Sequence, residues 1–500
     1  MNGLSNIDPR KLASDIEHLT VTCKTISTLM EIAQQQGYDL YLVGGFLRDV
    51  LLGRPCKDVD FVSSKASELA KLVAKQTGRK PALIDKKFGT VRFMPSVHRE
   101  LTEPPFVVDL SSLRGPTIFD DLYQRDFTIN SLALDISTWW TAREIRLLDP
   151  FGGIADLEGG RLRGSSQRSL SDDPLRILRA YRLALDYGLK MDAQTREGIL
   201  QGSHRLHRVS VERIRDEMML ILSATHSVST LRMLAQDGIL RLLLPECVDV
   251  PTVQEMNSRH LHVWQHRFEA LEALECFLTD IRKLFADHAG EASAILTQKL
   301  AGERTREISL KLVVLLHDIG DSRPRSLGEN GTIHLPNHHV AGPQLVASLC
   351  TRLRLSNKET NFISQLVRHH TSSMQLFQLT RMPTSALCRF FGLGPELFWP
   401  LLLLFASDYT ASQGPSAAGG GLQPLRQQIG RWLNFYYEHL KPRELEPPLV
   451  SGHDLIKCFH LSPGPLIGRL LKALSDLQWE GRISTRQEAI DYAARLLKEI

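Results

Sequence analysis

The stretch Leu42-Val43-Gly44-Gly45-Phe46-Leu47-Arg48-Asp49, followed by Asp58-Val59-Asp60-Phe61-Val62, decides the fold. An apolar run over 40–43 predicts a buried strand. It meets a Gly-Gly turn and then a short helix carrying Arg48 and Leu51. A second apolar strand opens with two aspartates one residue apart. Side chains alternate along a strand, so Asp58 and Asp60 share one face while Val59 and Phe61 occupy the other. Carboxylates held side by side repel unless a cation lies between them, which is how a Mg²⁺ site is made when phosphates and water complete the shell. Gly44 and Gly45 let backbone amides approach a triphosphate. A lone Asp-x-Asp is a common solvated strand end; joined to a strand–Gly-Gly–helix–strand unit, it points to two-metal phosphoryl chemistry.

Working outward, residues 1–36 read as polar amphipathic helix. Strands are predicted at 40–43, 58–62, 82–84, 90–93, 106–110, 132–136 and 145–148, with helices at 46–52 and 66–77. Residues 94–105 carry three prolines and read as a loop. Beyond Asp149-Pro150 the strand signal stops, and apolar i, i+3, i+4 spacing predicts helices at 175–186, 211–223, 268–278, 308–316 and 341–353. The fold class is an α/β head, a mixed sheet with helices, followed by an all-α neck, body and tail. The expected division is 1–36, 37–150, 151–245, 246–412, a flexible linker over 413–424, and a helical tail over 425–500.

A chain of 500 residues has room for several domains. The apolar run 401–406 is far too short to span a membrane. No signal pattern opens the chain. Seven scattered cysteines without C-x-x-C fit reduced thiols, most of them in the core, and a cytoplasmic setting. The net charge of +4 says little, but residues 161–215 hold eleven Arg and one Lys against six acids. Such a local surplus is the footprint of a phosphate backbone, although half of it is matched within the segment.

Two further constellations follow. In Gln124-Arg125-Asp126-Phe127-Thr128-Ile129-Asn130-Ser131, Arg125 suits bidentate phosphate binding, and Asp126 and Asn130 suit a ribose or the turn itself. In Asp172-Asp173-Pro174-Leu175-Arg176, an aspartate caps a helix with proline in its first turn. At i, i+3 spacing Asp173 and Arg176 share a face. As an acceptor–donor pair they match the amine-and-ring-nitrogen edge of C and A and mismatch G and U, worth ~1–3 kcal/mol. The same spacing also makes an ordinary intrahelical ion pair.

Taken in order, GGFLRD, DVD, KFGTVRF (87–93), VVDLSSLR (107–114), QRDFTINSLAL, DDPLRILRAYRLA and SVERIRDE (210–217) resemble the class II tRNA nucleotidyltransferase and bacterial poly(A) polymerase family. The resemblance implies a nucleotidyltransferase head, a neck that reads the incoming base, and helical domains that hold RNA. It implies that Asp58 and Asp60 bind catalytic Mg²⁺ and that Gly44, Gly45, Arg48 and Asp49 shape the triphosphate pocket. Arg125, Asp126 and Asn130 would contact triphosphate and ribose. Asp172, Asp173 and Arg176 would read the base, with Arg179 near the phosphates and Asp109 as a further acid on a neighbouring strand. Three positions depart from the family pattern: Gln124 where arginine is usual, Ser131 where alanine is common, and Asp172 where glutamate is usual. The implied reaction adds C and A to a tRNA 3′ end from CTP and ATP; the alternatives are poly(A) synthesis and partial, A-only or CC-only, addition.

A second chemistry is legible in the helical half. The apolar helix ending in His317-Asp318, with His266 upstream and Asp408 downstream, resembles the HD phosphohydrolase superfamily, and His338 and His369 fall where some members carry extra ligands. That resemblance implies a divalent site. Imidazoles with carboxylates suit Mn, Fe, Ni or Zn, and a metal-bound water can attack a phosphoester. Asp321 stands where many relatives have lysine. A metal phosphohydrolase with an RNA-binding head is the competing function of another class.

Overall fold

The computed structural model describes residues 9–56, 58–86, 88–94, 106–142, 145–247, 259–319, 326–327, 333–334, 338–378, 384–413 and 422–499. The chain forms two compact units, Met1–Glu217 and Met218–Ile500.

The first unit is built on a seven-stranded mixed sheet. Its strands are β1 (Tyr41–Val43), β2 (Asp58–Ser63), β3 (Ala82–Asp85), β4 (Thr90–Phe93), β5 (Val107–Ser112), β6 (Ala133–Asp135) and β7 (Leu147–Leu148), in the order β3-β4-β5-β2-β1-β6-β7. β2 runs antiparallel to β1 and parallel to β5, with Asp60 opposite Val43 on one side and Asp109 on the other. All seven lie where apolar alternation predicts them.

The two faces of the sheet are covered unequally. Val59 and Phe61 join a large core with Leu42, Leu110 and Leu134, roofed by helices Pro9–Thr22, Lys24–Gln36 and Ala66–Thr77. The predicted N-terminal helical segment is thus two helices, which bury Leu12, Ile16, Ile26, Leu29 and Met30 against the sheet. Each such side chain contributes about 1.5–3 kcal/mol on burial. On the opposite face only a small cluster forms, Val43, Val62, Ile118, Leu122 and Ala133. Asp58 and Asp60 are on this sparsely covered side. A slip of one residue in β2 would drive both carboxylates into the core, so the hydrophobic pattern fixes their placement.

The neck follows. Helix Arg176–Tyr187 buries Ile177, Leu178, Ala180, Tyr181 and Leu183 and ends at Gly188, whose φ of 64° allows the left-handed cap. A two-residue parallel pair, Arg161–Leu162 with Lys190–Met191, braces it. This pair and two short ladders in the second unit, Lys299–Ala301 with Arg304–Thr305 and Ser326–Leu327 with Ile333–His334, amend the expectation that strands stop at 150. Strands of two or three residues are too short to show alternation in sequence.

The second unit is helical. Arg259–Thr279, Arg306–Leu316, His338–Arg352, Asn357–Gln378 and Pro395–Ser412 are its main helices, and the tail helices Gly452–Phe459, Pro465–Trp479 and Arg486–Glu499 bury a core of their own around Leu455, Leu470 and Leu474. Among the described residues no single helix is long and apolar enough to cross a membrane; the bent pair Thr384–Phe391 and Pro395–Ser412 meets at 113°, and residues 398–407 are buried. All seven cysteines are free. Three are buried, two half-buried and two exposed, so fewer are core residues than expected. Most of the predicted loop over 94–105 and of the linker over 413–424 lies outside the described residues.

Candidate functional site

Strand β1 ends at Gly44, whose φ of 78° and ψ of −139° favour glycine. Its N–H donates to the Leu132 carbonyl (3.2 Å). A Cβ at Gly44 would sit 2.9 Å from Arg125 Nη1 and 3.6 Å from Asp60 Oδ2. Gly44, Asp60 and Arg125 therefore lie side by side although they are up to 81 positions apart in sequence. At Gly45 a Cβ would meet Arg48 Nη2 at 3.2 Å, so glycine at both positions leaves room for guanidinium groups.

Asp58 is exposed and Asp60 half-buried, on the common face expected from their spacing. Burial pushes the Asp60 carboxyl up; Arg125 acts against this, while Asp109 and Asp58 add to it, and Arg92 again opposes. Asp109, opposite Asp60 in register, is gripped by Arg92 through Nε and Nη2, both at 2.8 Å. An oxygen-only pair of carboxylates on one face suits a hard cation such as Mg²⁺.

The second motif is internally braced. Arg125 donates through Nε to Asp121 Oδ2 (2.9 Å), and Asp121 is fully buried. Asp126 accepts from Asn130 Nδ2 (3.0 Å) and from the Phe127 N–H (2.9 Å), and pairs with Arg179 Nη2 (3.0 Å). Burial works against its charge, but Arg179, Asn130 and Arg176 outweigh it and hold the carboxyl below the usual range. Of the two roles expected for Asp126 and Asn130, the turn-holding bonds are formed. Arg48 Nη1 donates to Asn130 Oδ1, and its Nε and Nη2 donate to Asp49 at 3.0 Å, which ties the Gly-Gly helix to this turn. At the departure site, Gln124 donates through Nε2 to the Arg114 carbonyl. Asp121 and Arg92 were not singled out from sequence; Asp121 lies one helical turn before Arg125, the spacing of an i, i+4 pair.

The third motif departs from its expected geometry. Asp173 has φ −142° and ψ 100°, outside any helix, and helix Arg176–Tyr187 starts after it. Proline disfavours a helical conformation in the residue before it, so Pro174 excludes Asp173 from the helix, and the shared helical face does not form. Asp173 pairs with Arg213 (2.6 Å) and caps Leu175 N–H (3.2 Å). Arg176 donates to the carbonyls of Gln124 (2.7 Å), Arg125 (3.0 Å) and Ser169 (3.0 Å). It thereby fixes the start of helix Arg176–Tyr187 to the second motif. Asp172 is exposed.

A second cluster forms in the helical unit. His266 Nε2 is 2.9 Å from Asp408 Oδ1 and 3.9 Å from Asp318 Oδ2. His317 Nε2 is 3.0 Å from Asp318 Oδ2 and 3.7 Å from Asp408 Oδ1. The four residues expected from sequence therefore meet. Of the extra positions, His369 is half-buried, whereas its neighbour His370 reaches the cluster, with Nε2 3.9 Å from Asp318 Oδ1. Helical rotation of about 100° per residue separates the two. His338 begins helix His338–Arg352, and Asp321 lies outside the described residues. Nδ1 of His317 faces the Val314 carbonyl (2.8 Å) and Nδ1 of His370 the Val367 carbonyl, which leaves each Nε2 as a ligand atom. His317 Nε2 is buried and makes no hydrogen bond of good geometry. Burial lowers the His317 imidazole, but Asp318 and Asp408 outweigh it and raise it well above the usual range. Both carboxyls are depressed against the pull of burial, mainly by His317 for Asp318 and by His266 and His317 for Asp408. Imidazole nitrogens converging with carboxylates fit a transition metal.

The chain matches two family models: the poly(A) polymerase head domain over residues 40–163, and a probable RNA and SrmB-binding site of polymerase A over 188–249. It is 35% identical to a CC-adding tRNA nucleotidyltransferase of Geobacter sulfurreducens, over 94% of either chain. It is 28% identical to an A-adding tRNA nucleotidyltransferase of Deinococcus radiodurans, over 92% of this chain and 95% of the relative. In fold it is similar to a Thermotoga maritima CCA-adding enzyme complexed with tRNA, with a TM-score of 0.58 and 22% identity over 94% of each chain. With the Gly-Gly turn, the carboxylate strand and the Arg125 turn in one place, the chain belongs to the tRNA nucleotidyltransferase family, and it is a nucleotidyltransferase.

Proposed function

We propose that this enzyme adds C and A nucleotides to the 3′ end of tRNA, with CTP and ATP as donors, in the cytoplasm. The observation that carries the site assignment is the common face of Asp58 and Asp60, with Arg125 beside Asp60 at Gly44. These two carboxylates would hold Mg²⁺, which when bound activates the attacking hydroxyl and stabilises the leaving pyrophosphate. Arg125 and Arg48 would orient the triphosphate, and the narrow space at Gly44 and Gly45 lets it approach the backbone. Arg176, bonded to the second motif's carbonyls, would keep the base-reading segment in register with the phosphates. A cavity of about 590 Å³ whose lining includes Arg163, Gln167, Gln194, Gln201 and Arg205 suits an RNA segment. On this reading the chain would divide into the N-terminal segment 1–36, head 37–150, neck 151–245, body 246–412, linker 413–424 and tail 425–500. The test is incubation of the protein with tRNA lacking its 3′ end and with CTP and ATP, followed by sequencing of the product. Added C and A support the assignment. A long A-tail contradicts it, and arrest after CC, or A added only to a CC end, marks the partial activities named for the Geobacter and Deinococcus relatives.

A second reading is favoured by the convergence of His266, His317, Asp318, Asp408 and His370. These residues would hold a transition metal, and a metal-bound water would hydrolyse phosphoesters. Phosphatase and cyclic phosphodiesterase assays of the wild-type protein and of His317→Ala, at fixed metal, test it. Hydrolysis that is equal in both contradicts it.

A further inference from the structure

Helix Arg176–Tyr187 is tied to the head at both ends. At one end Arg179 pairs with Asp126 (3.0 Å). At the other end, two helical turns on, Tyr187 donates its hydroxyl to Asp49 Oδ1 (2.7 Å). Between these anchors runs an unbroken polar chain: Asp49 takes Arg48 Nε and Nη2, Arg48 Nη1 reaches Asn130, and Asn130 reaches Asp126. The ring of contacts therefore leaves one helix, crosses the Gly-Gly helix and the Arg125 turn, and returns to the same helix. Its central pair is nearly closed to solvent, with side-chain exposures of 9% for Arg48 and 12% for Asp49.

The Tyr187 ring is held by two guanidiniums as well. The Arg48 guanidinium carbon lies 4.2 Å from its ring centre and that of Arg54 4.6 Å. Arg54 also donates to the Asp186 carbonyl (2.6 Å), so it clasps the helix end from outside. A ring within reach of two guanidiniums gains cation–π attraction from each. Burial raises the phenol; Arg48 opposes this and Asp49 adds to it, so the hydroxyl stays protonated and remains a donor. Arg48 is thus oriented by three groups: Asp49, Asn130 and the Tyr187 ring. Two of these depend on where the far end of the base-reading helix sits.

We propose that Tyr187 is a positioning residue of the nucleotide site: through Asp49 and its ring it aims Arg48 at the triphosphate, and so makes the phosphate grip depend on the seating of the base-reading helix. This rests on the assignment of Arg48 to the triphosphate pocket. Removing the hydroxyl takes a donor from Asp49, which keeps Arg48 and its contact with the Cys56 thiol, and loosens the helix end far from Arg176. Phosphate affinity should fall while base choice, set at the other end, is kept.

The experiment uses the full chain with Tyr187→Phe and, separately, Arg54→Met, which removes the outer clasp while the Arg54 backbone N–H keeps its bond to the Asp49 carbonyl (2.8 Å). Affinities for CTP, ATP and inorganic tripolyphosphate are measured by calorimetry, and steady-state addition is measured on tRNA lacking its 3′ end. Tyr187→Phe should weaken all three ligands by about the same factor, roughly five-fold for a lost hydrogen bond to a charged group acting through a second residue. KM should rise accordingly for both nucleotides, with kcat within about two-fold and the added sequence unchanged. Arg54→Met should act in the same direction, by about two-fold. Unchanged tripolyphosphate and CTP affinities, weakening of one nucleotide only, or a loss in kcat alone would overturn the proposal. If the wild-type protein binds CTP but adds nothing to tRNA, the transferase assignment fails, whereas a common loss of phosphate affinity in Tyr187→Phe still supports the positioning role.

Discussion

The two acidic clusters of this molecule handle their charge in opposite ways. On β2, Asp58 and Asp60 stand beside Asp109; Arg92 pairs with Asp109 and Arg125 lies near Asp60, yet burial leaves the charge on Asp60 disfavoured. In the helical unit, Asp318 and Asp408 face imidazoles that stabilise their charge, and in turn they raise His317. The first cluster, whose guanidiniums do not offset the burial of Asp60, gains by binding an external cation; the second carries titratable imidazoles as its countercharge. A cation with labile oxygen ligands fits the first, and a tightly held metal that replaces a proton fits the second.

That contrast can be broken by exchanging the lesions. Asp58→Ala should lower nucleotide addition by about a thousand-fold or more, the loss of several kcal/mol of transition-state stabilisation. His317→Ala should leave addition within about two-fold. If His317→Ala abolishes addition as well, the clusters do not have separate roles. Next in size is metal retention: on dialysis against chelator, His317→Ala should lose Mn, Ni or Zn with an affinity about 10–100-fold weaker than wild type, as should Asp408→Ala. Equal metal content in wild type and both variants would show that the imidazole cluster is a structural charge network.

Arg176→Lys sharpens the contrast within the head. Lysine cannot reach three carbonyls with a planar fork, so addition should slow by about ten-fold, and choice between C or A and the other nucleotides should relax, as measured by competition between CTP and UTP. Unchanged discrimination would place base choice elsewhere, at Asp172 or Asp173.

The smallest effect concerns stability. Because the Asp60 carboxyl is raised in the folded protein, the folded state binds more protons than the unfolded chain between the ordinary carboxylate range and the raised value. Its contribution to stability is therefore complete below the unfolded value and is lost as pH rises through the folded one. Asp60→Asn removes a disfavoured charge at neutral pH. Without added Mg²⁺ it should raise the melting temperature at pH 7 by about 2–4 °C, with the gain vanishing near pH 4. A drop in melting temperature at pH 7 would mean that the charge is compensated in the native state.

Much of the head was legible because its signals are local. The alternation in β2, the Gly-Gly break and the apolar strands each lie within a few residues, and each strand formed near its expected position. The error at Asp173 was also local: helical i, i+3 spacing was applied across Pro174, which excludes the preceding residue from the helix. The rest depends on long-range contacts. Asp121 buttresses Arg125, Arg92 neutralises Asp109, and Tyr187 reaches Asp49 across 138 positions. The imidazole cluster is intermediate. His317-Asp318 stands out at the end of an apolar helix, but whether His369 or His370 joins it depends on helix rotation, which packing decides.

The most direct test of the central claim is the single-turnover rate of CTP addition to tRNA lacking its 3′ end, compared between wild type and Asp60→Asn at pH 7 with saturating Mg²⁺. If Asp58 and Asp60 together hold the catalytic metal, the rate falls by about a thousand-fold while circular dichroism shows the fold intact. Addition by Asp60→Asn within about ten-fold of wild type would contradict the account.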